Sequence, residues 1–155
     1  MEIREATKDD ISEIKDLMKS LFLTWDSIDS MDKIDKNWFS SNESNQLISE
    51  RISSNHKKYF VAEKENKIVG YIFGLIEVRA ACLDKTVGLI DELFIKPEHR
   101  KTGAGKALTN KMLNWFKSKN IRWTIVLTHS CDEGANSYWI KLGYKDYNRK
   151  YRMKL

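Results

Sequence analysis

The spacing of apolar residues alternates along the chain between a helical and an extended period. Apolar side chains recur every three or four positions over 11–21 and again over 104–116, which places them on one helical face. Elsewhere, short apolar runs rich in β-branched and aromatic residues indicate strands. The predicted elements are a strand at 3–6, helices at 11–21 and 45–53, strands at 59–62, 68–76 and 87–95, a helix at 103–119, a strand at 121–127, a helix at 132–142 and a strand at 144–155.

This order of elements, β-α-α-β-β-β-α-β-α-β, predicts an α/β fold. We expect one domain over residues 1–155, with a mixed, twisted sheet of about six to seven strands flanked by about four helices. The short polar turn at 65–67 predicts a hairpin. Hairpin connections should be antiparallel, and we expect the helical crossovers to join parallel strands.

Two segments have no clear period and are predicted as irregular structure, 24–44 and the loop 79–85. The first of them carries large apolar side chains among polar ones. These side chains either cover a substrate site or simply pack on the core. They are Trp25, Met31, Ile34, Trp38 and Phe39.

Composition and charge narrow the class of protein. Hydrophobic residues make up 41% of the chain, which suffices for one core. The formal net charge of +5 favours polyanionic partners weakly, either nucleic acid or an anionic cofactor. Basic residues are spread along the chain except for a cluster near the C-terminus. That cluster is Lys145, Arg149, Lys150, Arg152 and Lys154.

The two cysteines, Cys82 and Cys131, form neither a disulfide framework nor a metal-ligand spacing, so we predict no metal site. Such sparse cysteine use is typical of a reducing compartment. The N-terminus is charged rather than signal-like, and no apolar stretch approaches membrane length. We therefore expect a cytoplasmic protein with no membrane partner.

The loop at 97–105 joins a predicted strand to a predicted helix and carries two basic residues, Arg100 and Lys101, and two glycines, Gly103 and Gly105. Glycine lets the backbone approach an anion closely, because no Cβ atom intervenes. The following helix N-terminus adds free N–H donors and a partial positive charge. The loop therefore predicts a phosphate-binding site, although the glycines alone would also suit a plain turn.

Three further segments, taken together with this loop, can be compared with the sequence patterns of known protein families. The loop is Arg-Lys-Thr-Gly-Ala-Gly at 100–105, and the strand before it continues as Asp-Glu-Leu-Phe-Ile-Lys-Pro-Glu at 91–98. Residues 132–144 are Asp-Glu-Gly-Ala-Asn-Ser-Tyr-Trp-Ile-Lys-Leu-Gly-Tyr, and the hairpin strands contain Val-Ala-Glu and Ile-Val-Gly-Tyr. In this order the segments resemble the GNAT-type N-acetyltransferases over essentially the whole chain. In that family the loop begins with Arg or Gln, continues as x-x-Gly-x and ends with Gly or Ala. A segment near the end of the chain reads Asn-x-x-Ala-x-x-x-Tyr-x-x-x-Gly-Phe.

The resemblance implies acetyl-coenzyme A as cosubstrate, bound where two strands splay apart. It implies that the strand main chain at 93–95 holds the pantetheine arm and that the loop at 100–106 wraps the pyrophosphate. The implied cofactor-binding residues are Leu93, Phe94, Ile95, Arg100, Lys101, Thr102, Gly103, Ala104, Gly105, Lys106, Asp132 and Trp139.

Amide formation from a protonated amine needs a proton acceptor and an oxyanion donor. The family supplies the donor from the strand main chain, which corresponds to Leu93. Asp91 is our first candidate for the acceptor, because it aligns with a frequent functional glutamate, and Glu92 is the alternative. Either could instead be a surface or ion-paired carboxylate. Strand alternation sends the two to opposite faces unless a bulge intervenes. His129, just after a strand, is a third candidate.

The resemblance also implies a tyrosine that protonates the leaving thiolate, and here the chain departs from the family pattern. Trp139 occupies that position, and the adjacent Tyr138 should point about 100° away on a helix. Either Tyr138 takes the role through a local shift, or another group or water does. Asp132 stands where the family has asparagine. It can cap a helix, but an ionised carboxylate cannot donate an amide hydrogen bond.

The resemblance thus implies an N-acetyltransferase acting on a primary amine of a small molecule or protein by direct transfer in a ternary complex. The alternative is a catalytically impaired CoA-binding regulatory module, favoured by the missing tyrosine. We expect no nucleic-acid partner; a third hypothesis, binding through the basic C-terminal strand, would require salt-dependent affinity for DNA or RNA. Family members often pair through their last strands, so a homodimer is also expected.

Overall fold

The structure is a computed structural model that describes residues 1–28 and 33–153. Met31 and Lys154, both named above, lie outside the described residues. The strands are β1 Glu2–Glu5, β2 Lys57–Lys64, β3 Lys67–Val78, β4 Thr86–Ile95 and β5 Thr124–Val126. The helices are α1 Ile11–Ile28, α2 Asn42–Ser53, α3 Ala104–Ser118 and α4 Glu133–Lys141, with short 3-10 turns at Lys8–Asp10, Trp38–Ser40 and Pro97–His99.

The strands lie in chain order in one sheet, β1-β2-β3-β4-β5. The predicted α/β class and mixed sheet are confirmed: β2, β3 and β4 are joined by antiparallel pairing, and β4 pairs with β5 in parallel. The expected parallel pairing across the first crossover is wrong, since β1 and β2 are antiparallel. Each helix reverses the direction of the chain. The two helices between β1 and β2 therefore leave these strands antiparallel, whereas the single helix between β4 and β5 leaves those strands parallel.

The sheet has five strands within the described ranges, fewer than predicted, because the expected strand at 144–155 does not form over 144–153. Alternation indicates a strand only where a neighbouring edge is available to pair with it. β5 is three residues long and offers a short edge. The side chain of Tyr144 packs on Trp139, whereas most residues after it are exposed.

Helices cover both faces of the sheet, and each face has its own hydrophobic core. Along β2 the side chains alternate between the two, with Tyr59 and Val61 facing α1 and α2 and Phe60 and Ala62 facing α3 and α4. We call these the α1 face and the α3 face. In the described part of the chain, no helix is both long and apolar enough to cross a bilayer.

The start of α1 is fixed by a charged cap. In the 3-10 turn that leads into α1, the Thr7 N–H donates to the Asp10 carboxylate at 2.7 Å. Arg4 on β1 reaches the same carboxylate with two hydrogen bonds, at 2.7 and 2.8 Å. These bonds keep the pKa of Asp10 below its usual value, although burial opposes them. The cap therefore ties the first helix to the edge of the sheet.

Candidate active site

One edge of β4 is open along its second half. β5 pairs with β4 from Gly88 to Ile90, and the last bond between them is from the Leu127 N–H to the Ile90 carbonyl, at 3.3 Å. Beyond Ile90 the described chain places no strand beside β4 on that side. The two strands therefore separate at Asp91, which leaves a cleft lined by main-chain groups.

The register with β3 shows which groups line this cleft. The Lys96 N–H donates to the Val69 carbonyl at 2.9 Å, so Lys96 and Val69 form a hydrogen-bonded pair. Bonded and non-bonded pairs alternate in antiparallel sheets, which makes Ile72 and Leu93 a non-bonded pair. The N–H and carbonyl of Leu93 consequently point into the cleft.

A β-bulge lies where the strands separate. Phe73 pairs with Glu92 and the next residue of β3, Gly74, pairs with Ile90, so Asp91 has no partner on β3. Ile90 and Leu93 both pack on the α3 face. In a regular strand, neighbouring residues on the same face are separated by one residue that faces the other way. Ile90 and Leu93 are instead separated by two residues, Asp91 and Glu92. The bulge therefore brings Asp91 and Glu92 together on the α1 face.

Glu92 is buried in a hydrogen-bonded network, with 4% of the residue exposed. Arg51, on α2, reaches one carboxylate oxygen at 2.8 Å, and the Tyr71 hydroxyl donates to the other at 2.8 Å. Arg51 also donates to the Tyr59 hydroxyl at 2.9 Å, and its guanidinium lies 4.2 Å from the centre of the Phe73 ring. Burial raises the pKa of Glu92, while Arg51 and Tyr71 oppose this shift. Both oxygens of Glu92 are thus engaged.

Asp91 is in a different situation. It is partly buried, and its carboxylate makes no direct hydrogen bond or ion pair with any described residue. Burial raises its pKa, and the positive charges of Arg51 and Lys150 partly oppose this rise. Asp91 is therefore the carboxylate whose oxygens remain available to a ligand in the cleft.

The loop before α3 has the geometry of an anion site. Gly103 caps the helix in the left-handed region, with φ of +91°, and Lys101 also has positive φ, +61°. The first intrahelical bond runs from the Ala107 N–H to the Gly103 carbonyl. The N–H groups of residues 104–106 therefore have no partner within the helix. They point out of the N-terminal end of α3, where an anion is favoured.

Side chains fix the shape of this loop. The Thr102 hydroxyl donates to the His99 carbonyl at 2.8 Å, and the Arg100 Nε donates to the Ile95 carbonyl at 3.1 Å. Arg100 also lies over the ring of Phe94, 5.7 Å from its centre. The loop is thus tied to the end of β4, next to the open edge. Lys106 follows in the first turn of α3.

Helix α4 carries the remaining predicted site residues, and they point in different directions. The Asp132 carboxylate caps the helix by accepting from the Ala135 N–H at 2.9 Å. Trp139 is 6% exposed and packs in the α3-face core. The Tyr138 hydroxyl shares a 2.9 Å hydrogen bond with Thr109 of α3. Burial raises the pKa of Tyr138.

The segment after β5 crosses toward α1. The His129 ring lies 5.8 Å from the ring of Trp25, which in turn stacks on Phe22 at 4.9 Å. Trp25 and Trp38, from the segment predicted as irregular, are partly buried against the α1-face core, and Trp25 extends α1. His129 is therefore engaged with an aromatic side chain on the α1 side of the cleft.

Arg51 was missed by the sequence analysis. Its signal was present, since Ser44, Ile48 and Arg51 recur at helical spacing and the first two are fully buried. An arginine on the buried face of a short amphipathic helix needs an acidic partner. The sequence alone does not identify which carboxylate this is.

The Acetyltransferase (GNAT) family model matches residues 17–144. An uncharacterized N-acetyltransferase of Methanocaldococcus jannaschii is 24% identical over 144 residues, which cover 93% of this chain and 60% of that relative. The chain thus spans less than two thirds of this relative. A glucosamine 6-phosphate N-acetyltransferase of Trypanosoma brucei brucei is 28% identical, covering 63% of this chain and 65% of the relative.

Solved structures share the fold. A Bacillus halodurans protein described as a transcriptional regulator superimposes with a TM-score of 0.81 at 17% identity, covering 99% of both chains. The aminoglycoside N-acetyltransferase AAC(6')-Iy, in complex with the bisubstrate analogue CoA-S-monomethyl-acetylneamine, superimposes with a TM-score of 0.77 at 18% identity. That match covers 99% of this chain and 98% of the other.

Proposed function

Because the chain belongs to the GNAT family of acetyltransferases, we propose that it transfers an acetyl group from acetyl-coenzyme A to a primary amine of a small molecule or protein, directly and in a ternary complex. The observation that carries this proposal is the open edge of β4, where the main chain of Leu93 faces the cleft two residues after the bulged Asp91.

Acetyl-coenzyme A, which supplies the activated acetyl group, suits the residues that this chain provides. The free N–H groups of residues 104–106 and the charges of Arg100 and Lys101 suit a pyrophosphate. The open main chain of β4 from Leu93 to Ile95 suits the amide groups of a pantetheine arm. A protein of the same fold holds a CoA bisubstrate analogue, which supports this assignment.

In the proposed reaction, Asp91 accepts a proton from the attacking amine, directly or through one water molecule. The amine nitrogen then bonds to the thioester carbonyl carbon, and the Leu93 N–H donates to the developing oxyanion. The carbon–sulfur bond breaks and the sulfur leaves as a thiolate, while the second proton that the nitrogen loses on becoming an amide passes through water to that thiolate. Glu92 is a poor proton acceptor for this step, because Arg51 and Tyr71 engage both of its oxygens.

We propose that water, rather than a tyrosine, protonates the thiolate. Trp139 is buried in the core at the position where the family pattern has tyrosine. The Tyr138 hydroxyl is bonded to Thr109, and its raised pKa makes it a weaker acid than usual. Neither residue therefore supplies a ready proton to the cleft.

The test is release of free thiol from acetyl-coenzyme A across a panel of amines, which includes polyamines, aminoglycosides, amino acids and lysine peptides. Asp91→Asn should lower kcat by about 100-fold or more with the best acceptor. Asp9→Asn, which neutralises an exposed carboxylate in the 3-10 turn before α1, is the matched control and should behave as wild type. A fully active Asp91→Asn protein would refute the assignment of the base.

A second candidate function is a CoA-binding regulatory module without catalysis. The buried Trp139 in the tyrosine position favours it. This module would bind CoA in calorimetry yet release no thiol above the rate of hydrolysis with any amine in the panel. The same two measurements therefore distinguish the candidates.

Homodimerisation remains a prediction of the family resemblance. Light scattering would test it, because the monomer mass is 18.2 kDa. A single species at that mass over the working concentration range would contradict a dimer.

A further inference from the structure

We infer that Arg51 is a positioning residue for acetyl transfer: from α2 it neutralises Glu92, so that the neighbouring Asp91 stays ionised and takes the proton. This inference rests on the proposed function and assigns a role to a residue outside the cleft itself. It starts from the bulge, which brings two carboxylates of adjacent residues to the same face.

Two adjacent carboxylates on one partly buried face repel each other, and each makes the other harder to ionise. Glu92 is the more buried of the two, and its side chain is 3% exposed. A cation at hydrogen-bond distance is therefore needed if both are to be ionised at neutral pH. Arg51 meets this need at 2.8 Å, with its own side chain 17% exposed.

The surroundings of Arg51 hold the guanidinium in place. It lies over the face of Phe73 and donates to the Tyr59 hydroxyl as well as to Glu92. Stacking and a second hydrogen bond restrict the side chain to one geometry. Removing one partner of such a buried pair leaves the other charge uncompensated.

Asp91 interacts electrostatically with groups on four elements: Arg51 and Lys150 lower its pKa, and Asp91 in turn raises the pKa of Glu92 and Tyr59. Arg51 lies on α2, Glu92 on β4 itself, Tyr59 on β2, and Lys150 on the segment after α4. Burial raises the pKa of Asp91, and Arg51 is the larger of the two cationic influences that lower it. Without Arg51, Asp91 would lose the larger of these two influences, and the two neighbouring carboxyls, left without their shared cation, would together retain a proton to higher pH.

The test uses charge removal at each partner and at both. Arg51→Met removes the cation, Glu92→Gln removes the anion with little change of shape, and the double variant removes both. Arg4→Met is the matched control, because Arg4 is also an ion-paired arginine but lies on β1, bonded to Asp10 and Glu63. Lys150→Met tests the second cation.

Two readouts are needed. The first is the pKa of Asp91, measured by carbon NMR titration of its carboxyl signal in the CoA-saturated protein and identified by its loss in Asp91→Asn. The second is the acid limb of the kcat profile with the best amine. The first readout requires no turnover, so the inference can be tested even if the protein transfers no acetyl group.

A base works only when deprotonated, so a higher pKa moves the acid limb to higher pH. Arg51→Met should raise the pKa of Asp91 and move the limb up by about one pH unit or more. Glu92→Gln should lower the pKa of Asp91 and move the acid limb to lower pH, because Arg51 keeps its charge after its anionic partner is removed. In the double variant, both values should return close to those of the wild type. Arg4→Met should shift neither, and Lys150→Met should raise the pKa less than Arg51→Met does.

A pKa of Asp91 that stays within a few tenths of a unit in both Arg51→Met and Glu92→Gln would overturn the inference and leave Arg51 a merely structural residue. If Arg51→Met fails to fold, Glu92→Gln alone decides, since an unchanged or raised pKa there contradicts the expected direction. Failure of the proposed function would instead appear as no thiol release by the wild-type protein, whatever the titration shows.

Discussion

A methyl group added at Gly103 and one added at Gly105 should change the stability of the protein in opposite directions. Gly103 caps α3 with φ of +91° and ψ of −5°, whereas Gly105 lies inside the first turn of the helix. A Cβ atom at Gly103 would meet nothing within 4 Å, and one at Gly105 would meet the Tyr138 hydroxyl at 3.6 Å, an ordinary contact. Neither substitution causes a steric clash, so the backbone conformation alone decides.

The magnitudes follow from that conformation. An alanine in the left-handed region costs about 1–2 kcal/mol, so Gly103→Ala should lower the free energy of unfolding by about 1 kcal/mol once the stiffer unfolded chain is allowed for. Glycine in a helix interior is about 1 kcal/mol less favourable than alanine, so Gly105→Ala should raise the free energy of unfolding by up to that amount. The two variants should differ by about 2 kcal/mol, or about 4–8 °C in Tm.

Urea unfolding followed by circular dichroism gives both free energies, and calorimetry with CoA gives the ligand affinity of each variant. Gly103→Ala should also weaken CoA binding, because the positive φ orients the N–H groups at the helix start. Gly105→Ala should keep it, since the family pattern has glycine or alanine there. Equal stability changes of the same sign in the two variants would refute the backbone argument.

Three further predictions concern the core, the first helix and the leaving group. A Cβ at Gly88 would lie 2.8 Å from three ring atoms of Phe116, so Gly88→Ala should cost about 1–3 kcal/mol in urea unfolding, and Phe116→Leu in the same chain should recover part of it. Arg4 lowers the pKa of Asp10, so the stability that this carboxylate contributes is lost as pH falls below about 4. Asp10→Asn should therefore flatten the acid branch of the Tm profile. Tyr138→Phe should change kcat by less than about 10-fold if water protonates the thiolate, and a loss of 100-fold or more would assign that role to Tyr138.

Local sequence patterns predicted the central hairpin, β4, the loop at 100–105 and α3, because each of these depends on residues close together in the chain. Gly103 and Gly105 are an example, since a strand, a loop and a helix start follow one another directly. The roles of Asp91 and Glu92 could not be read in this way. Which face each occupies depends on the pairing of β4 with β3, and a bulge is a property of the pair of strands.

Long-range pairing likewise decided the remaining differences. The antiparallel direction of β1 depends on how two helices pack, and the segment 144–153 stays without a strand although its residues alternate. Arg51 could be recognised as a charge on an apolar helix face, but its partner Glu92 lies 41 residues away. Sequence spacing alone does not bring such residues together.

The bulge makes Asp91 dispensable to the fold. Ile90 and Glu92 pair with adjacent residues of β3, Gly74 and Phe73, so a chain lacking Asp91 would continue as a regular strand. Every other side chain of β4 would keep its present face. Deleting a residue of β4 other than Asp91 or the adjacent Glu92 would instead invert part of the strand, exchanging core and opposite-face positions. The proposed catalytic carboxylate is thus an insertion that the architecture tolerates rather than requires, and a shortened β4 would retain the hydrophobic cores while abolishing the proton acceptor.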